Sequence, residues 1–291
     1  MPAETDFFAL LRDEKEPVRR IKLTQEVQQS LTSLFAVAGQ TLVDPTLEQI
    51  PFEGAYRPDE GEVLFIPDFK LPEQVTSALL EPTACEDLKL TNAVLPNIRA
   101  VFTGSPDGKS ATFQAFKRTQ FLSTKGISII LSGDTFRRLD TPGLNIGERV
   151  DALFDSERLY FRSYLDARRA LDLAEYYREA TDKDIATFAA LPSVRFADAT
   201  SLQKNADSWV RRRIAIIQDK GVLEKVAPAS IHAAAIAYNV PLNLISDGGN
   251  EALLLPDDKK GLKAALKFLD EDYYTGPVSG QQYVSNSKRT L

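Results

Sequence analysis

Residues 207–217 read DSWVRRRIAII and hold the chain's single tryptophan beside a run of three arginines. Guanidinium groups at that density can seat phosphates, because each offers planar, forked donors to an oxyanion. Helical spacing sets a plainer reading beside this one. It gathers Val210, Ile214 and Ile217 on one face next to Trp209, sends Arg211 and Arg212 elsewhere, and lets the Arg213 stem cover the indole. A second basic stretch competes with it. Between 109 and 138, Lys109, Lys117, Arg118, Lys125, Arg137 and Arg138 face only Asp134, a net +5 in a chain whose overall charge is −6. Strand alternation sends Arg137 and Arg138 to opposite faces, so one of them at most shares a basic sheet surface with Lys117 or Arg118. The window 109–138 is therefore the better phosphate-contact candidate of the two. Lys117, Arg118, Arg137, Arg138, Arg211 and Arg212 are the candidate phosphate contacts, as a nucleic acid would need.

Other side chains with chemical potential have bland readings that fit better. GSPDGKS (104–110) resembles a phosphate-binding loop, but only three residues separate Gly104 from Gly108, and a strand pattern, ATFQAFK, follows. A β-hairpin turn is expected there. His232, the only histidine, lies in the alanine-rich IHAAAIAY with no nucleophile or ligand pattern around it, so packing or surface exposure is expected. Cys85 stands alone and can neither staple the chain nor build a zinc site. The acid-plus-lysine fragments PDFK (67–70) and PDGK (106–109) keep a metal-dependent nuclease as an alternative. DEDYY (270–274) reads as a solvated helix end before it reads as a metal site. No catalytic residue, metal ligand or cofactor site is assigned, and a non-enzyme is expected.

These residues must be positioned by a folded scaffold, and 291 residues with 43% hydrophobic content can bury a sizeable core. The acidity sits in residues 1–100, at net −8, against 0 for 101–200 and +2 for 201–291. The longest apolar runs are too short to span a bilayer, and MPAETDFFALLRDEKEPVRR lacks the pattern of a secretory signal, so a cytoplasmic location is expected. Thr24 opens a helical pattern with Val27, Leu31, Leu34 and Phe35 as its core face. Short strands follow in IPFEGAYRPDEGEVLFI, and IRAVFTGS, ATFQAFK, ISIILS, TFRRLD and RLYFRSY suggest an antiparallel meander. Helices are expected at 165–173, 183–191, 198–220, 230–239 and in KKGLKAALKFLDEDYY. Gly221 should cap one helix and Ser230 should open the next. The fold class is α+β. An antiparallel β-rich domain over 1–191, with flanking helices, precedes a smaller α+β module over 192–291.

Four segments carry a family resemblance: KGISIILSGDTFRRLDTPGL, LYFRSYLDARRALDLAEYYREATDKDI, ADSWVRRRIAII and LPDDKKGLKAALKFLDEDYYTGPVSGQQYVSNSKR. Together they resemble the KwaB-like family of the Kiwa anti-phage defence system, over about Ile21 to Leu291. The resemblance implies a bacterial defence protein that binds DNA without marked sequence preference and hinders phage DNA replication or expression. It also implies a KwaA-like membrane partner able to recruit the protein to the inner membrane, and a homodimer or higher homo-oligomer. A module that only docks on a partner, through its acidic first third, is a further alternative.

Overall fold

The computed structural model describes residues 5–12, 15–54, 56–198, 200–285 and 287–288. Residues 1–4, 13 and 14 of the amino-terminal stretch read for a secretory signal, and parts of the closing SNSKR, lie outside them. The chain divides into two compact units, Met1–Phe52 with Arg57–Leu173, and Glu53–Tyr56 with Ala174–Leu291.

The first unit contains β1 (Phe7–Leu11), β2 (Val18–Ile21), α1 (Gln25–Gln40), β3 (Glu48–Pro51), β4 (Glu62–Ile66), α2 (Glu73–Leu80), β5 (Ile98–Gly104) and β6 (Ser110–Ala115). It continues with β7 (Phe121–Leu122), β8 (Ile129–Ser132), β9 (Thr135–Arg138), β10 (Gly143–Leu144), β11 (Ala152–Asp155), β12 (Arg158–Phe161) and α3 (Tyr164–Ala170). Eight strands form one sheet in the order β2-β1-β5-β6-β11-β12-β4-β3, antiparallel except for the β3–β4 pair. The expected meander is present as β5-β6-β11-β12, and GSPDGKS is the β5–β6 hairpin turn, with Gly108 at a φ of +71° that favours glycine.

Every residue of β1 is buried, so the strand has no solvent face. Phe7 meets Phe35 of α1 edge-on at 5.3 Å, while Phe8, pointing the other way, stacks on Phe102 at 5.1 Å. Burying one such ring is worth about 1.5–3 kcal/mol. Helix α1 begins after Thr24 as expected, but its buried face runs through Thr32, Phe35, Ala38 and Gly39. Val27 is exposed, and Leu31 and Leu34 are half-buried. The face is rotated because Gly39 comes against Thr112 and Leu153, whose side-chain atoms would lie 3.4 and 3.8 Å from a Cβ there.

The second unit contains α4 (Asp182–Ala189), β13 (Val194–Phe196), α5 (Ser201–Asn205), α6 (Ser208–Lys220), α7 (Val222–Lys225), α8 (Pro228–Ala237), β14 (Asn243–Asp247), β15 (Asn250–Leu255), α9 (Lys259–Leu269), β16 (Tyr273–Thr275) and β17 (Gln282–Val284). Its sheet runs β13-β15-β14, with β13 parallel and β14 antiparallel to β15. Leu253 and Leu255 share one core with Ile185 and Phe188 of α4, Ile214 of α6, and Leu262 and Leu266 of α9. Because α4 belongs to this core, the units divide between Leu173 and Ala174, upstream of Leu191–Pro192. Gly221 caps α6 with a φ of +62°. Ser230 does not open α8: the helix starts after Ala227 with Pro228 in its first turn, where a missing N–H costs nothing. Among the described residues, no helix is long and apolar enough to cross a membrane.

Candidate nucleic-acid interface

Residues 116–151, between β6 and β11, leave the sheet as a two-stranded arm that carries most of the basic window. At its root β7 pairs with β10, Leu122 opposite Gly143, and Phe121 stacks on Phe116 at 5.6 Å. Further out β8 pairs with β9, and a two-residue turn led by Gly133, at a φ of +69°, closes the ribbon.

Polar side chains at its root, of which Gln114 is buried and Asn92 and Asp151 are half-buried, fix where the arm departs. The buried Gln114 carboxamide accepts from the Gly147 N–H at 3.1 Å and from Gln120 Nε2 at 3.2 Å, and donates to the carbonyls of Gly147, at 2.8 Å, and Arg149. In the turn ahead of β5, Asn92 Oδ1 accepts from Ser123 Oγ at 3.0 Å and from the Thr124 N–H at 3.1 Å. Asp151 Oδ2 accepts from the Ala115 N–H at 2.8 Å. Burial pushes the Asp151 carboxyl above its ordinary pKa, the Ala115 N–H opposes this, and Asp166 adds to it. Glu148, Asp151 and Asp166 line a cavity of about 340 Å³ together with Arg149 and Arg162. Among the described residues, no group of three or more His, Cys, Asp or Glu could hold a metal ion.

The six candidate cations separate by environment. Lys117 is tied to Asp166 at 3.2 Å beside the root. Arg118, in the next turn, is exposed, as are Arg137 and Arg138 on β9 and Lys125 before β8. These four form no ion pair among the described residues, which leaves them available to phosphates. Register places Arg138 opposite Ile129 and Arg137 opposite Ile130, on alternate faces of the ribbon.

In α6 the arginines are engaged within the second unit. Arg211 donates to the carbonyls of Ala206 and Ala180, at 3.1 and 2.9 Å, and to Asp182 at 2.6 Å. Arg212 donates to the Ser208 carbonyl at 3.0 Å, lies 3.5 Å from Glu179 and covers the Tyr177 ring. Val210, Ile214 and Ile217 are buried, and Arg213 lies over Trp209 with its guanidinium 5.2 Å from the ring centroid.

Sequence reasoning missed what Arg213 does beyond the indole. Asp270 and Asp272, expected at a solvated helix end, are 0% and 2% exposed. Arg213 bonds both, at 3.0 Å in the case of Asp272; Lys220 reaches Asp270 at 3.0 Å, and Lys288 reaches Asp272 at 2.8 Å. Burial alone would lower the Arg213 pKa, but the two carboxylates outweigh it and raise it. Cys85 is half-buried, and burial pushes its thiol up, away from the thiolate a nucleophile needs.

A family model described as Kiwa protein KwaB-like matches residues 109–279, more than half of the 291-residue chain. The matched span takes in the whole arm and most of the second unit. No curated protein and no solved structure matches.

Proposed function

Because the chain belongs to the Kiwa protein KwaB-like family, we propose that it is an anti-phage defence effector that binds DNA with little sequence preference. Binding would hinder phage DNA replication or expression, in a homo-oligomer working beside a KwaA-like membrane partner. The observation that supports this most is the arm, with Arg118, Lys125, Arg137 and Arg138 exposed and unpaired among the described residues. A two-stranded ribbon is one of the shapes a DNA groove admits, and proteins use such ribbons in either groove. Arginine stems are long enough for Arg137 and Arg138 to reach the flanking phosphates from opposite faces. Phosphate contacts position a protein without reading bases, which accounts for weak sequence preference. On this reading Lys117, Arg211 and Arg212 set structure, and the protein has no catalytic step.

A mobility-shift titration with duplex DNA at low and rising salt tests the proposal. The expected result is binding at low salt that weakens steeply as salt rises. No binding at low salt overturns it. Incubation with plasmid and magnesium or manganese should leave the plasmid intact, and cleavage would favour the nuclease alternative.

A further inference from the structure

The arm carries more apolar surface than phosphate binding requires. Phe136, Leu131 and Ile129 are 64%, 61% and 57% exposed. The register pairs Leu131 with Phe136 and Ile129 with Arg138, so all four side chains share one face. A two-stranded ribbon is marginal in water by itself, and exposed apolar patches of this kind mark surfaces that become covered on binding.

We propose that Ile129, Leu131 and Phe136 form a wedge that enters a base-pair step from the minor groove and bends the duplex. The inference rests on the DNA-binding reading above and adds an action to it. Proteins that bend DNA from the minor groove insert apolar side chains between base steps while basic residues hold the backbone. The arm supplies both parts within fourteen positions, from Lys125 to Arg138.

The same residues argue against two other occupants. A bilayer that took in the apolar face would also take in Arg138, which shares that face, with no phosphate at that depth to receive it, and a charge is poorly tolerated there. A second copy of the arm would bring its own Arg138 to a face that already carries one, and neither strand has an acid to pair with it.

The test uses the full chain and two probes: a duplex of about 30 base pairs with a dye at each end, and the same duplex with a central mismatch. The wild-type protein should shorten the end-to-end distance, consistent with a bend of about 20–90°. It should also bind the mismatched duplex roughly tenfold more tightly, since an already unstacked step costs less to open. Leu131→Ala with Phe136→Ala should abolish the bend and the mismatch preference while keeping the salt dependence. Leu131→Thr with Phe136→Thr, which retains strand-forming side chains, should behave alike and guards against loss of the ribbon. Arg137→Ala with Arg138→Ala should weaken both probes equally.

Wild-type protein that binds but leaves the duplex straight overturns the wedge alone, as does either double variant that bends DNA normally. A double variant that loses dimers, or loses binding to phosphatidylserine vesicles, while still bending DNA overturns it in favour of those occupants. Absence of any DNA binding at low salt overturns the underlying reading first.

Discussion

Arg213 stands between two carboxylates that water cannot reach, and its neighbours in the triplet do not share that position. Replacing it with alanine leaves Asp270 and Asp272 with only the lysines as counter-charges. Breaking a buried pair in this way costs about 3–5 kcal/mol. Arg213→Ala should therefore lower the urea midpoint of the second unit sharply, while Arg137→Ala, on the exposed ribbon, should leave it unchanged. The two variants should exchange ranks in DNA binding. Removing one phosphate contact lowers the slope of log affinity against log salt by about 0.9, so Arg137→Ala and Arg138→Ala should each show that decrement in a mobility-shift series. Three adjacent arginines look equivalent in sequence because the partners that separate them are remote: Asp270 and Asp272 lie 57 and 59 residues beyond Arg213. The Trp209 face was legible because helical spacing is local, whereas burial of charge was not.

At the scale of elements, α6 owes its start to Asp207, which accepts from the Val210 N–H at 3.0 Å and pairs with Lys259 and Lys263. Burial alone would raise its pKa, but the Val210 N–H and the two lysines outweigh this and hold the carboxyl well below the usual range. A depressed folded pKa contributes stability that is fully present above the unfolded value, about 3.9, and is lost as pH falls through the folded one. Asp207→Ala should cost about 1 kcal/mol at neutral pH, the usual worth of such a cap. It should also flatten the acid limb of a stability–pH profile below about pH 4, read by urea unfolding at a series of pH values. Helix ends and hairpin turns of this kind could be read from local residues, as at Gly221 and Gly108. Ser230 could not, because Pro228 had already fixed the start of α8. The order of the large sheet was also hidden. It depends on pairings such as Phe8 with Phe102 and Tyr160 with Phe65, which join strands about 95 residues apart, and no local pattern encodes a partner at that distance.

For the whole molecule the governing quantity is a net charge of −6 against an arm that is locally basic. An acidic surface repels the DNA backbone, so binding has to be concentrated where cations stand free. The basic window was legible because charge can be counted from the sequence, but its separation from the sheet was not. ISIILS and TFRRLD are short β-rich runs like those of the strands that do join the large sheet. The difference lies in the side chains around the root, where Gln114 and Asn92 tie down the base and leave β8 and β9 to pair only with each other. This separability allows a decisive excision. Leu122 and Gly143 already face each other in the β7–β10 pair, so residues 123–142 can be replaced by Asn-Gly, a sequence suited to a two-residue hairpin turn. No residue of the excised segment is buried, so the shortened chain should unfold in urea close to the wild-type midpoint, lower only by what Asn92 loses with Ser123 and Thr124. Its affinity for duplex DNA at low salt should fall by at least about tenfold, with a salt slope reduced by about 2–3, as expected for losing Lys125, Arg137 and Arg138 together. A shortened protein that stays folded and binds DNA with wild-type affinity and salt dependence would place the interface elsewhere on the chain.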